Sequence, residues 1–351
     1  MEKEQRKHGK KKATRRQRQR RKIILVILAV IAALILAVAA FIGSKFSKLD
    51  TIKLKNVKVN ELTKETKEAM EGYTSIALFG LDNRSNGNFE RGNSDTIIIV
   101  SINNKTGEIK MASVYRDTYL DIDENKFRKA NAAYANGGPE QAVNMLNKNL
   151  DLNITDYVSV DFNAVVDAVN LLGGVELDIT EEEVKYINGY IDSVSEVTGK
   201  SSSHVGAGTQ LCDGVQATAY ARIRYTVGWD FKRTERQRTV VTKMFEKAKQ
   251  TDLLTLNKLL DEMLPEISTS LSATELLSLA SDAMKYSMGE NTGFPFDKES
   301  GSVGNLGSLV IPVNLENNVV QLHQFLYTNE AYTPSQTVKD LSAAIHNNSG
   351  Y

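Results

Sequence analysis

The chain contains one cysteine, four histidines and five prolines in 351 residues. A single cysteine, Cys212, excludes an intramolecular disulfide. The histidines, which are His8, His204, His323 and His346, show no metal-ligand spacing, and this argues against a zinc site. The sequence also lacks a P-loop, an HExxH motif and a nucleophile elbow, so a Ser-His-Asp hydrolase has no support.

The net charge is zero, but the charge is distributed unevenly along the chain. Residues 1–22 hold twelve of the 43 Lys and Arg residues and only two of the 43 Asp and Glu residues. The rest of the chain is therefore acidic, by about ten charges, and an acidic domain is a poor partner for nucleic acid. We expect no nucleic-acid partner.

An uncharged apolar run, residues 23–43, follows this basic segment directly. As a helix it would extend about 30 Å, which matches one bilayer core. The positive-inside rule predicts a cytoplasmic N-terminus with residues 44–351 outside the cell, in a single-pass membrane protein. The alternative is a signal peptide cleaved near residues 37–39. Export without disulfides favours a Gram-positive bacterial surface.

Short apolar segments alternate with helical patterns after residue 73, and the turn NKTG joins two of them as a hairpin. The strand-like segments are 75–82, 95–103, 108–117, 156–162, 175–179 and 308–313. The pattern predicts an α/β fold, with a mixed central β-sheet flanked by helices on both sides and preceded by one transmembrane helix. The predicted regions are a tail (1–22), the transmembrane helix (23–43), a stalk (44–72), a main domain (73–290) and a C-terminal extension (291–351).

Two aspartates are candidates for a metal site. Asp82 ends the first apolar strand and Asp95 begins the next, so antiparallel pairing of the strands would bring both carboxylates to one sheet edge. Close carboxylates repel, and a hard divalent cation such as Mg²⁺ or Mn²⁺ would hold both ionised. The alternative is a turn residue followed by a strand-entry cap.

The segment 219–238 is rich in arginine. Its candidate anion ligands are Arg222, Arg224, Arg233, Arg236 and Gln237. In extended backbone, Arg222 and Arg224 would share one face, and a helix with Asp230 as its N-cap would bring the other three to a common face. Converging arginines suit a phosphate or diphosphate. The alternative is a solvated basic helix face.

Arg116 is a third candidate, because it follows a strongly apolar strand, where open α/β sheets tend to bind ligands. Asp117 would orient it. The alternative is a surface ion pair of little energetic value.

In this order, the segments resemble the LytR–CpsA–Psr family of bacterial cell-envelope proteins. The matching segments are 76–84, 93–118, 129–138, 156–179, 208–225 and 230–238, with further similarity over 294–298 and 310–327. The resemblance implies that residues 73–290 are a catalytic domain with a mixed sheet and an apolar groove for a prenyl chain. It implies a phosphotransferase that moves a glycopolymer from a polyprenyl-diphosphate carrier to peptidoglycan, at the C6 hydroxyl of N-acetylmuramic acid.

The resemblance also implies roles for individual residues. Asp82 and Asp95 match aspartates that the family associates with Mg²⁺. Positions that hold the diphosphate are matched by Arg116, Arg222, Arg224, Arg233 and Gln237, with Arg236 beside them. Arg116 and Asp95 are the expected catalytic residues.

Three positions depart from the family pattern. Asn93 replaces a usual arginine, whose charge Arg91 or Arg84 would supply instead. Tyr115 replaces a usual proline, and Ala132 stands where a histidine is common. Lys148 is a further possible contact to the diphosphate.

In the expected reaction, the sugar hydroxyl attacks the phosphorus next to the glycan, and polyprenyl phosphate leaves. Positioning and charge neutralisation would dominate the catalysis. The general base stays open among Asp95, Asp117 and Asp230. A hydrolase of the same lipid-linked donor is one alternative, and a non-catalytic surface protein that binds glycopolymer or regulates envelope assembly is another. A binding protein would not need paired aspartates beside clustered arginines, so the motifs disfavour this second alternative.

Overall fold

The computed structural model describes residues 50–81 and 89–351, which belong to one unit, Leu49–Tyr351. The predicted tail and transmembrane helix, and both Asp82 and Arg84, lie outside the described residues. Within the described part of the chain, no helix is long and apolar enough to cross a bilayer.

Thirteen strands and ten α-helices make up the described fold. The strands are β1 Asp50–Thr51, β2 Tyr73–Leu81, β3 Ser94–Asn103, β4 Glu108–Val114, β5 Tyr119–Asp121, β6 Phe127–Lys129, β7 Asp156–Val160, β8 Val175–Ile179, β9 Gly208–Cys212, β10 Ile267–Thr269, β11 Ser287–Phe294, β12 Lys298–Gly301 and β13 Leu309–Pro312. The helices are α1 Lys64–Glu71, α2 Ala132–Leu150, α3 Phe162–Leu171, α4 Glu181–Thr198, α5 Gly214–Arg222, α6 Trp229–Lys249, α7 Leu253–Met263, α8 Ala273–Asp282, α9 Leu315–Tyr327 and α10 Gln336–Ser349. Single 3₁₀ turns follow α7 and α8.

Seven strands form the central sheet, in the order β1-β10-β7-β2-β3-β4-β11. The pairs β2–β3 and β3–β4 are antiparallel, whereas β2–β7 and β4–β11 are parallel, so the predicted mixed sheet is confirmed. Leu81 at the end of β2 is opposite Ser94 at the start of β3. The antiparallel pairing on which the two-aspartate hypothesis depends is therefore present.

Helices cover both faces of this sheet. Alternate residues of β2 and β3, such as Phe79 and Ile97, are buried in a large core with α2, α9 and α10. The intervening residues, such as Ile98 and Val100, face the other way and pack against Val241 of α6. Strand periodicity thus divides the apolar residues between two helical layers, as predicted.

The regions predicted to flank the main domain are integrated with it. The predicted stalk contributes β1 to the sheet, and its backbone at Lys55 donates a hydrogen bond to Glu140 of α2. The boundary predicted at 290/291 falls inside β11, which pairs with β4. The extension also packs α9 and α10 on the core, so it is a structural part of this unit.

A glycine sets the distance between α3 and α5. A Cβ atom at Gly214 would lie 2.0 Å from the backbone oxygen of Val166. We expect Gly214→Ala to lower the free energy of unfolding by roughly 2–3 kcal/mol, because the backbone of α3 would have to move. Denaturant unfolding followed by circular dichroism would measure the change.

The matched control is Gly189→Ala in α4, where an added Cβ would meet nothing within 4 Å. It should be neutral or stabilise by about 0.5–1 kcal/mol, because glycine is a weak helix former. Equal unfolding curves for the two variants would contradict the close approach at Gly214.

Candidate active site

Asp95 is at the centre of the charged cluster. It is the extra residue of a β-bulge, because Gly80 pairs with Thr96 and Leu81 with Ser94. A bulge redirects the side chain of its unpaired residue. The carboxylate accepts hydrogen bonds from Nη1 of Arg116, at 2.9 and 3.0 Å, and from Nη2 of Arg224, at 3.0 Å.

Arg233 is the buried member of the cluster, with only 2% of its side chain exposed. Its Nη2 donates to the Asp95 backbone oxygen at 3.2 Å and to Asp230 Oδ2 at 3.0 Å, while its Nε is buried without a partner. Burial lowers the pKa of Arg233 to about 10, against the attraction of Asp230, and Arg116 and Arg224 lower it further. Arg233 therefore stays charged at neutral pH.

Arg116 lies in the loop after β4 and is held from several sides. Its Nε is 3.4 Å from Asp117 Oδ2 and 3.6 Å from Asp230 Oδ1. Burial lowers the pKa of Arg116, but Asp95, Asp230 and Asp117 outweigh it, so the pKa lies above its ordinary value. The C-terminal extension fixes this loop, since Val310 N donates to Asp117 O. The loop is therefore ordered by parts of the chain far apart in sequence.

Arg222 and Gln237 complete the charged end of the site. The Arg222 guanidinium is centred 4.5 Å from the Phe162 ring and 5.7 Å from the Tyr190 ring, and Nη1 is 3.5 Å from Ser193 Oγ. Gln237 Oε1 is buried and has no hydrogen-bond partner. Together with Arg224 and Arg233, these side chains line one cavity.

The cavity measures about 410 Å³ and lies between the sheet and the helices α3, α5, α6 and α7. Its apolar wall includes Leu78, Ile98, Val158, Val160, Val165, Ala168, Val240, Val241, Met244 and Met263. Along α6, the lining residues run from Arg233 to Met244, a rise of about 16 Å. The site thus combines a cationic end with a long apolar wall, which suits an amphiphile with an anionic head.

A model of the LytR_cpsA_psr family matches residues 39–292, most of the chain. The chain belongs to the LytR–CpsA–Psr family. It is 32% identical, over 60% of its length, to the polyisoprenyl-teichoic acid–peptidoglycan teichoic acid transferase TagU of Enterococcus faecalis. It spans 63% of that relative, and less than two thirds of two other curated relatives.

Solved structures share the fold. A protein of Enterococcus faecalis described as a transcriptional regulator superposes with a TM-score of 0.63 at 25% identity, covering 81% of this chain and 97% of that one. TagT of Bacillus subtilis, with bound octaprenyl pyrophosphate lipid, superposes with a TM-score of 0.51 at 20% identity, covering 85% and 96%.

Most of the arginines suggested by the LytR–CpsA–Psr resemblance come together, but the reasons differ from those inferred from the sequence. Arg222 is the last residue of α5, a helix that starts with a capping box between Asp213 and Gln216, so the extended backbone predicted there is wrong. The N-cap of α6 is Gly228, and Asp230 lies inside the helix, paired with Arg233.

Two predicted diphosphate ligands lie elsewhere. Arg236 is turned towards α4, where its Nε donates to Glu183 at 2.6 Å, so its assignment to the diphosphate is corrected. The Nζ of Lys148, on α2 at the opposite sheet face, is 2.6 Å from Asp121 and also misses the cavity. Arg91 is exposed and, like Arg116, is not among the residues that line the cavity, so its role at the diphosphate stays a prediction.

Two aromatic members of the site were missed by the sequence reasoning. Phe162 and Tyr190 support the Arg222 guanidinium, yet neither lies in a charged motif. Phe162 follows the end of β7, as Arg116 follows the end of β4. Because ligands in open α/β sheets tend to bind at the ends of strands, the same argument predicts Phe162 as a site residue. Tyr190 is on α4 and comes close only through helix packing.

Of the two predicted metal ligands, only Asp95 lies among the described residues. No group of three or more His, Cys, Asp or Glu side chains suited to a metal occurs among residues 50–81 and 89–351. Asp95 offers hard carboxylate oxygens, and the end of β2, after which Asp82 follows, lies beside it. This donor chemistry fits Mg²⁺ or Mn²⁺ and not a soft metal.

Proposed function

We propose that the chain is a phosphotransferase that moves a glycopolymer from a polyprenyl-diphosphate carrier to peptidoglycan. One observation carries this proposal: the arginine cluster around Asp95 lies at one end of an apolar cavity that follows α6 from Arg233 to Met244. Such a site matches a diphosphate head and a prenyl tail. The names of TagU and of lipid-bound TagT support the same substrate class.

In the proposed reaction, a sugar hydroxyl of peptidoglycan, the C6 hydroxyl of N-acetylmuramic acid, attacks the phosphorus that bears the glycan. A new P–O bond forms, the bond to the bridging oxygen breaks, and polyprenyl phosphate leaves. Arg116, Arg224 and Arg233 neutralise charge on the phosphate oxygens, and fixed hydrogen bonds to Asp95 and Asp230 already orient these arginines. The proton of the attacking hydroxyl passes to a carboxylate, for which Asp95, Asp117 and Asp230 are the candidates, and each of them is paired with an arginine.

We assign a Mg²⁺ or Mn²⁺ ion to Asp82 and Asp95, where it would supply charge neutralisation for the diphosphate when bound. Residues 23–43 are proposed as a membrane anchor that keeps the N-terminus cytoplasmic and the catalytic unit outside the cell. A tether at the outer leaflet raises the effective concentration of a lipid-borne donor. Protease digestion of intact cells tests this topology, because only residues after 43 should be cleaved.

The deciding experiment incubates the full chain in detergent with a polyprenyl-diphosphate oligosaccharide, peptidoglycan fragments and Mg²⁺. Mass spectrometry should detect the phosphodiester-linked product, and EDTA should suppress it. Free glycan phosphate alone would favour the hydrolase. Tight lipid binding without turnover would favour the binding protein.

A cavity-filling variant tests where the lipid tail binds. Met244→Trp should weaken binding of a ten-isoprene diphosphate by about tenfold, because Met244 lines the apolar wall at the end of α6 remote from Arg233. Binding of a two-isoprene diphosphate should change less than twofold. Calorimetric titration measures both affinities, and an equal loss for the two lipids would contradict the assigned tail position.

A further inference from the structure

Three exposed apolar side chains lie between the end of α5 and the first residue of α6. Tyr225, Val227 and Trp229 are 59%, 81% and 67% exposed. The rings of Tyr225 and Trp229 form a row with that of Tyr186 on α4, because the centroids of Tyr186 and Tyr225 are 6.0 Å apart and those of Tyr225 and Trp229 are 6.4 Å apart. We call the three aromatic residues, Tyr186, Tyr225 and Trp229, the aromatic rim. Soluble domains rarely expose such a group without a binding role.

Hydrogen bonds to α4 and α6 hold the segment 225–229, which carries two of the three rings. Thr226 is buried, and its Oγ1 accepts from Arg236 Nη2 at 2.7 Å. The Val227 amide donates to Glu182 Oε1 at 2.9 Å, and the Trp229 amide to the Thr226 oxygen at 2.9 Å. Trp229 also has a φ of +46°, a strained conformation for a bulky residue. The surroundings therefore maintain the exposure of these rings.

The aromatic rim is continuous with the proposed diphosphate site. Arg224 immediately precedes Tyr225 and donates to Asp95, while Asp230 immediately follows Trp229 and accepts from Arg233. Adjacent Cα atoms are about 3.8 Å apart. Tyr225 and Trp229 are thus the chain neighbours of Arg224 and Asp230, which places the aromatic rim at the border of the proposed diphosphate site.

The surroundings of the rim indicate what kind of group it binds. Glu181 and Glu182 are exposed at the start of α4, and Glu182 accepts a hydrogen bond from the loop, so carboxylates lie close to the rim. A sugar ring is uncharged, presents C–H groups that pack on aromatic faces, and carries hydroxyls that can donate to carboxylates. We propose that the aromatic rim is a saccharide subsite in which Tyr225 and Trp229 stack on a sugar ring next to the diphosphate. The assignment rests on the proposed function, and the ring belongs either to the donor glycan or to the peptidoglycan acceptor.

Trp229 is the only tryptophan in the chain, so its emission reports directly on this subsite. The full chain in detergent is titrated with farnesyl diphosphate, with farnesyl diphosphate bearing one N-acetylglucosamine, and with the disaccharide of N-acetylglucosamine and N-acetylmuramic acid. Emission should change with a sugar-bearing probe and stay unchanged with farnesyl diphosphate.

Calorimetry on variants then measures affinity. Trp229→Ala should weaken binding of a sugar-bearing probe roughly five- to tenfold and that of farnesyl diphosphate less than twofold, and Trp229→Phe should restore most of the loss. Met284→Ala, at a residue 70% exposed on the 3₁₀ turn after α8, is the control for loss of an exposed apolar side chain. Thermal unfolding of each variant reports on folding.

The outcomes distinguish a failure of the saccharide subsite from a failure of the proposed function. A selective loss for the sugar-bearing lipid supports a donor subsite, and a selective loss for the disaccharide supports an acceptor subsite. Equal affinities of wild type and Trp229→Ala for both sugar probes would overturn the saccharide subsite alone. Quenching of Trp229 by brominated lipid in ligand-free vesicles would indicate membrane insertion and would also overturn the saccharide subsite. Failure of wild type to bind farnesyl diphosphate would overturn the proposed function and this subsite together.

Discussion

Arg116→Ala is expected to reduce glycopolymer transfer on the order of a thousandfold. In the proposed reaction, Arg116 neutralises charge that develops on the phosphate oxygens, and the removal of one such fixed donor has effects of this size in phosphoryl and acyl transfer. Its Nη1 is already oriented by Asp95, so wild type needs little reorganisation on substrate binding. Product formation measured by mass spectrometry at saturating donor reports the loss in kcat.

The variant should still fold, because Asp95 keeps its hydrogen bond to Arg224 and Asp230 keeps its bond to Arg233. Arg91→Ala is the matched control, since Arg91 is exposed, whereas Arg116 is largely buried and bonded to Asp95. It should retain full activity. If Arg91→Ala lost as much activity as Arg116→Ala, then Arg91 would take the role of the usual arginine that Asn93 replaces.

Arg236→Met is expected to destabilise the fold by about 3–5 kcal/mol, because it leaves Glu183 buried without its cation. Arg236 is 4% exposed and Glu183 is 6% exposed. The guanidinium also donates to Ile223 O at 3.2 Å and to Thr226 Oγ1 at 2.7 Å, so it joins α4, α6 and the α5–α6 loop. Denaturant unfolding would measure the loss.

A double variant separates the charge from the packing. Glu183→Gln with Arg236→Met removes both charges and keeps the capping-box side chain of α4, so most of the stability should return. If Arg236→Met left the stability unchanged and lowered the affinity for diphosphate, the structural role of Arg236 would be contradicted. Arg236 would then be a diphosphate ligand, as its helical spacing predicted.

Local patterns in the chain carried the prediction of the sheet and of most site residues. The turn between β3 and β4 and the alternation of apolar residues in β2 and β3 are readable because each depends on neighbours a few residues away. The extended backbone predicted at Arg222 was wrong, since the capping box that begins α5 favours a helix that continues through this residue.

Helical spacing could not distinguish Arg233 from Arg236, which are three residues apart on α6. Arg233 meets Asp95 of β3, whereas Arg236 meets Glu183 of α4. The difference depends on which element packs on each side of α6, and sequence spacing carries no information about that. The bulge at Asp95 and the rings under Arg222 likewise arise from pairings between distant segments.

By itself, the sequence determined the family, the mixed α/β class and the residue types of the site, because motif order and periodicity are properties of the linear chain. Only the tertiary structure decided which arginines converge on Asp95, that an apolar cavity extends from them along α6, and that the C-terminal extension holds the Arg116 loop. These features depend on the packing of side chains from segments as distant as Asp117 and Val310, and the energy of that packing is not encoded in any local pattern.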